Sequence, residues 1–198
     1  MCRILLVRHA DHPLAATTLA GRDANAVHLS DFGRQQAAQL ADVLADEPID
    51  CLQSSPRLRC IETAEALATE FDLPVMVEPA LDEVHFGAWT GVEFAQLEAN
   101  PKWYAWNVHR ARTRPPGGET IAEARIRIFR HMEAISRRYP ARTIVMVTHA
   151  EIIRAVRLHR AGLSADAWRS VDVPLASIST IDMVPARFPE TMLEAAAS

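Results

Sequence analysis

Cysteine is scarce in this chain. Its three residues, Cys2, Cys51 and Cys60, form neither a disulfide framework nor a zinc-ligand spacing, and they read as reduced thiols. No apolar run approaches the roughly 18 to 20 residues of a membrane span. Met1-Cys2-Arg3 leads straight into a strand-like run without a signal-peptide layout, so a cytoplasmic, membrane-free location is expected. Positive charge is in deficit: the formal net charge is −4. That argues against a nucleic-acid-coating surface and leaves room only for a local basic pocket. Repeats are absent, and low complexity is confined to the end of the chain. What remains is ordinary. With 198 residues, 49% of them hydrophobic and 23% charged, the composition suits one domain with a substantial core.

Arg3 to Arg8 (R-I-L-L-V-R) is a short apolar run of the kind buried in a parallel sheet. A loop with Pro13, Gly21 and Asn25 follows. Ser30 or Asp31 caps a predicted helix through about Leu44, with Ala37, Leu40, Ala41 and Leu44 on one face. Ile49 to Gln53 reads as a second strand, Ser54-Ser55-Pro56 as the opening of a helix to about Phe71, and Leu73 to Val77 as a third strand. Strand alternating with helix predicts a layered α/β domain. Leu81 to Gly91 is a loop, and Val92 to Arg110 one or two short helices broken by Pro101. Thr113 to Gly118 is a second loop, and Glu119 to Tyr139 a helix with an apolar stripe. Thr143 to Val147 is a buried strand, Glu151 to Ala161 a helix, and Ser177 to Met183 a last strand. The predicted domain covers residues 1–184, with an insertion at about 92–118, and residues 185–198 form a tail.

Two strands end alike. Leu5-Leu6-Val7 runs into Arg8-His9-Ala10, and Val145-Met146-Val147 into Thr148-His149-Ala150. Ligands of open parallel sheets bind beyond the carboxyl ends of strands, so parallel neighbours here would bring two imidazoles together. Arg8 is adjacent to His9, and Arg59 falls in the first turns of the helix after Pro56. Guanidinium groups and helix N-termini both favour phosphate oxygens. Neighbouring arginines oppose a metal cation, so neither metal nor other cofactor is expected. The residues point to phosphoryl transfer onto a neutral imidazole.

On these residues the chain resembles the histidine phosphatase superfamily, the phosphoglycerate-mutase-like proteins. The matching blocks are L-V-R-H at Leu6 to His9, L-S-D-F-G-R-Q-Q-A at Leu29 to Ala37 and S-S-P-R-L-R-C-I-E-T-A at Ser54 to Ala64. They continue with L-D-E-V-H-F-G-A-W-T-G at Leu81 to Gly91, P-G-G-E-T at Pro116 to Thr120 and V-T-H-A at Val147 to Ala150. The resemblance implies a three-layer α/β/α fold with a mostly parallel central sheet. It implies that His9 attacks phosphorus and becomes a phosphohistidine, while Arg8, Arg59 and a protonated His149 hold the transferring oxygens. Glu83 would protonate the leaving oxygen and then deprotonate the attacking water, which requires a pocket that raises its pKa. The branch that instead uses an aspartate after the second histidine is disfavoured, because Ala150 stands there. Ala150, Arg22, His12 and His85 are the candidate substrate-binding residues.

The chain also departs from the family pattern. Ala10 and Ala150 replace glycines, which is tolerable if φ is negative at both. Ala15 stands where many mutase-type members carry asparagine, and Asp11 and His12 replace the common glutamate and hydroxyl residue. His28, His109, His131 and His159 read as surface or helix residues. Trp103, Tyr104, Trp106 and His109 read as packing or a substrate lid, and Arg112 and Arg114 as solvated charge or a positive rim. Only 65 residues separate Glu83 from His149, fewer than the site-closing segment of the mutases requires. Hydrolysis of a small-molecule phosphomonoester is therefore favoured over a phosphoglycerate-type mutase, or a non-catalytic paralogue that binds a phosphorylated ligand. An apolar stretch near Ala161 to Trp168 offers a face for a homodimer.

Overall fold

The computed structural model describes residues 1–22 and 27–183; the predicted tail at 185–198 lies outside the described residues. Five strands form one sheet: β1 (Cys2–Arg8), β2 (Ile49–Ser54), β3 (Val75–Val77), β4 (Thr143–Thr148) and β5 (Ile178–Met183). Their order is β3-β2-β4-β1-β5, parallel except for β5, which pairs antiparallel with β1. Central strands covered on both faces must be apolar throughout, and β4 is buried at every position.

Alternate residues of β1 and β4 serve opposite faces. Ile4, Leu6, Ile144 and Met146 belong to a core shared with α5 (Ile121–Arg138) and α6 (Ala150–Arg160). Leu5, Val7, Val145 and Val147 pack on the other face with α1 (Asp31–Leu44) and α2 (Leu58–Phe71). This is the expected three-layer arrangement. Each such side chain contributes on the order of 1.5–3 kcal/mol of hydrophobic stabilisation. Two short helices, α3 (Phe94–Glu98) and α4 (Pro101–Val108), follow the Glu83 loop and cover the carboxyl edge of the sheet. They match the expectation of helices broken at Pro101, which here takes the first helical position behind the Asn100 cap.

Boundaries moved for identifiable reasons. Helix α2 starts at Leu58 behind Arg57, not at Ser54 or Ser55. Ser54 donates to the Ser55 carbonyl, and Ser55 is engaged with His149. Helix α5 starts at Ile121, since Thr120 and Glu123 form a reciprocal capping box that leaves Glu119 outside. Single 3-10 turns lead into the Leu81 to Gly91 loop at Pro79–Leu81 and lie within it at Gly87–Trp89.

Candidate active site

The register of β1 and β4 pairs Arg8 with Thr148, so His9 and His149 leave the sheet side by side. Their ring centroids are 5.3 Å apart, and the His12 ring stands 5.2 Å from that of His9. The His9 Nδ1–H donates to the Ala10 carbonyl at 2.9 Å, since a carbonyl only accepts. The Nε2 atom therefore carries the lone pair. Burial, and then the charge of Arg59, hold His9 well below the usual histidine pKa, so it is neutral at pH 7. That is the state a nucleophile needs.

Arg59, 2% exposed on the first turn of α2, donates through Nη2 to the Gly21 carbonyl at 2.9 Å and to His149 Nδ1 at 3.1 Å. Its Nε and Nη1 are buried without a hydrogen-bond partner among the described residues, as are Arg8 Nε and His12 Nδ1. Unmatched buried donors in one place are costly unless an acceptor completes them. Together they describe a receptor for an anion.

Because Arg59 donates to Nδ1 of His149, its Nε2–H donates to Ser55 Oγ at 2.8 Å, and Ser55 in turn faces Asp82. Burial, Arg59 and His9 hold His149 well below the usual value. The free site thus contains a neutral His149, in contrast to the protonated form expected for the anion-bound state.

Glu83 is buried at the same cavity. Burial, and then the Glu151 charge, push its carboxyl up to about 7, against the opposing effects of the Val84 N–H, Arg59 and Arg8. The loop that carries it is held from beneath. Arg22 Nε donates to the Glu83 carbonyl at 2.5 Å, and Arg22 also pairs with Glu119. Arg127 bridges Glu119 at 2.8 Å and the Glu83 carbonyl at 3.4 Å. The motif glycines serve this clasp: Gly87, at φ +54°, lies so close to Pro116 that a Cβ would fall 2.1 Å from its carbonyl oxygen. Glu119 N–H donates to the His85 carbonyl at 2.7 Å.

The cavity has a volume of about 290 Å³, and Arg8, His9, His12, Arg59, Glu83 and Ala150 line it. Arg22 and His85 do not; they sit in the framework behind Glu83. His149 also stands outside the lining, fully buried behind Arg59 and Ser55. Ala10 and Ala150 both have negative φ, so the glycine-to-alanine departures carry no backbone strain there. Trp103 and Trp106 stack at 5.3 Å as part of the far wall, whereas Tyr104 is 70% exposed and His109 caps the end of α4. Arg114 pairs with Glu123 away from the cavity.

Three wall residues escaped the sequence analysis. Arg110 is sandwiched between the Trp106 and Trp168 rings, its guanidinium carbon 4.0 and 3.7 Å from their centroids. Glu151, in the first turn of α6, pairs with Arg110 at 2.6 Å and also with Arg154. The adjacency of Glu151 to His149 and Ala150 was the available signal; nothing local marked Arg110 or Arg154. Trp168, counted with a possible dimer face, packs against Arg110.

Known proteins are similar to this chain over most of its length. A model of the histidine phosphatase superfamily, branch 1, matches residues 4–193. Phosphoserine phosphatase 1 of Hydrogenobacter thermophilus is 29% identical over 187 residues, covering 92% of this chain and 87% of that protein. A glucosyl-3-phosphoglycerate phosphatase of Mycolicibacterium vanbaalenii is 32% identical over 149 residues, 71% of this chain and 66% of that one. The native structure of mycobacterial glucosyl-3-phosphoglycerate phosphatase superposes with a TM-score of 0.77 at 27% identity, covering 90% and 88% of the two chains. Bacillus stearothermophilus YhfR shares the fold, with a TM-score of 0.84 at 21% identity over 93% and 92% of the chains. With paired histidines at the ends of β1 and β4, and a family match running nearly its whole length, the chain belongs to branch 1 of the histidine phosphatase superfamily.

Proposed function

We propose that this protein is a phosphatase that hydrolyses a small-molecule phosphomonoester through a phosphohistidine on His9, without a metal. The carrying observation is the neutral His9, its Nδ1–H tied to the Ala10 carbonyl and its Nε2 lone pair free beside unpartnered arginine donors. Nε2 attacks phosphorus in line, while Arg8 and Arg59 neutralise the oxygens. The arriving dianion opposes the effects that keep His149 neutral, so proton uptake by His149 accompanies binding. Glu83, protonated up to about pH 7, gives its proton to the leaving oxygen; as the carboxylate it then takes one from water, which attacks the phosphohistidine. Relatives named as phosphatases support hydrolysis over mutase activity. We further read residues 1–184 as one domain, with segment 92–118 roofing the cavity, and place the protein in the cytoplasm, where three buried free thiols stay reduced.

The test is hydrolysis of an aryl phosphate at about pH 5 to 8, with a chelator present, by wild type and His9→Ala. Turnover that survives chelation and disappears in His9→Ala is expected. Activity that requires a divalent metal, or persists without His9, would overturn the mechanism.

A further inference from the structure

Behind the cavity, three buried side chains form a line that contact with a phosphoryl group does not explain. Ser55 N–H donates to the Val147 carbonyl at 2.9 Å, which extends β2 along β4 and sets the Ser55 hydroxyl beside His149. That hydroxyl accepts the His149 Nε2–H at 2.8 Å and turns its own hydrogen towards Asp82 Oδ1 at 3.4 Å. Oδ1 also accepts the Glu83 N–H at 2.9 Å, while Oδ2 takes Arg57 at 2.9 Å, with Arg22 at 3.6 Å. Neither Ser55 nor Asp82 lines the cavity, so both act through His149 and Glu83. A hydroxyl has one hydrogen. Given to a carboxylate, it leaves only lone pairs for the imidazole, so Nε2 carries the ring hydrogen and Nδ1 does not.

The tautomer decides how the site answers an anion. When it is empty, Nδ1 accepts from Arg59 Nη2 at 3.1 Å, which occupies one guanidinium donor. A phosphoryl dianion attracts that donor and favours positive charge on the ring. A proton from solvent then bonds to Nδ1, and it returns to solvent when phosphate leaves. Two donors cannot face each other, so protonation of Nδ1 and release of Arg59 go together. The far side of the imidazolium, out of water, still needs compensation. Arg59, His9, Arg57 and Arg127 all oppose its charge, and the Cys60 thiol, 3.5 Å from Nε2, is neutral. Glu83 is protonated in its acid role. Among the described residues only Asp82, with Oδ1 3.8 Å from Nε2, is a carboxylate within ion-pair reach, and Ser55 bridges the gap.

We propose that Ser55 and Asp82 are positioning residues that hold His149 with its hydrogen on Nε2, so that anion binding frees Arg59 from Nδ1 and the proton taken up there is balanced from behind. The same carboxylate holds the Glu83 backbone, so one side chain fixes both the imidazole and the acid loop. This rests on the phosphatase reading for what fills the site, yet tautomer and anion response are measurable without turnover. Three variants serve the test. Ser55→Ala removes the bridge, and Asp82→Asn keeps an acceptor but removes the charge. Ser54→Ala is the control, deleting an equally buried hydroxyl that is spent on the Ser55 carbonyl at 2.9 Å.

Nitrogen NMR of the free wild type should show His149 protonated on Nε2 alone, and on both nitrogens once inorganic phosphate is added. Calorimetry at about pH 7.5, in buffers of different ionisation enthalpy, should count about one proton taken up per phosphate bound. Ser55→Ala should bind phosphate about ten- to a hundredfold more weakly, the loss expected for a hydrogen bond to a charged group. Asp82→Asn should take up fewer protons and, relative to wild type, lose more affinity at about pH 8 than at about pH 6. Ser54→Ala should match wild type in both respects. Ser55→Ala indistinguishable from Ser54→Ala, an unchanged pH dependence in Asp82→Asn, or a free His149 with its hydrogen on Nδ1 would each overturn the proposal. Where Ser55→Ala does not fold, the wild-type tautomer and the Asp82→Asn titration decide it. A wild type with this tautomer and proton count but no aryl phosphatase turnover would remove the phosphatase reading and leave the positioning role.

Discussion

At the scale of single residues, the site works by withholding charge from groups that would carry it in water. His9 and His149 are kept neutral by burial and by Arg59, while burial and Glu151 keep the Glu83 proton on up to about pH 7. The sign for catalysis follows. In the proposed mechanism Glu83 acts as the acid only while protonated, so kcat/KM on an alkyl phosphate should fall as pH rises through about 7. Glu83→Gln should lower that rate by about 10²- to 10⁴-fold and remove the alkaline limb. The loss should be smaller on an aryl phosphate, whose leaving group needs less protonation. A limb that persists in Glu83→Gln, read from initial rates across pH, would assign it to another group.

At the scale of elements, the motif blocks are chiefly joints that aim loops. The block at Leu29 to Ala37 bears few site residues, yet it pins the segment after His9. Ser30 Oγ donates to Asp11 at 2.5 Å, and Gln36 accepts the Asp11 N–H at 2.9 Å. A Cβ on Gly33 would lie 2.0 Å from the Asp11 carbonyl oxygen, so α1 approaches that loop as closely as a backbone can. Gly33→Ala should therefore cost about 1–3 kcal/mol through overpacking and also slow turnover, because Asp11 follows Ala10 and His9 directly. Thr120→Ala removes one half of the α5 capping box, and about 1 kcal/mol of stability with it. Its thermal midpoint should drop by roughly 2–4 °C with turnover retained. Thermal melts and rates on the same preparations check both. Equal loss of activity in the two variants would count against a specific joint at Gly33.

Across the whole molecule, the anion receptor sits where several elements meet, so filling it should stabilise the fold. At a phosphate or vanadate concentration one hundred times Kd, linkage predicts about 2.7 kcal/mol. For a chain of this size that corresponds to a rise of roughly 5–10 °C in the melting midpoint. Arg59→Gln should abolish most of it, and calorimetric scans would show whether it does. Without a ligand, the histidines set the acid limb of stability. His9, His12 and His149 all have folded pKa values below the ordinary one, His12 at about 4. Below about pH 6.5 the unfolded chain takes up protons that the folded chain refuses, so stability falls. Glu83, with its raised value, acts in the opposite sense between about 7 and its ordinary pKa, one group against three. A net loss on acidification through this window is expected in denaturant titrations.

Periodicity and local motifs by themselves determined the α/β alternation, the paired strand-end histidines and the positions of Arg8 and Arg59, whereas Glu83 was marked only by the family resemblance. These depend on neighbours in the chain: apolar runs that fit a doubly covered sheet, capping residues, and residue types a phosphoryl group requires. Long-range approach decided the rest. Arg22 read as a substrate-binding residue, but Glu119, 97 residues away, draws it beneath the Glu83 loop. Trp168 looked like part of an outer face, but Arg110, on a different segment, supplies the cation over which it closes. The carboxylate of Glu151 and the guanidiniums of Arg110 and Arg154 acquire meaning only as a buried cluster, because a charge in water is unremarkable and the same charge out of water must be matched.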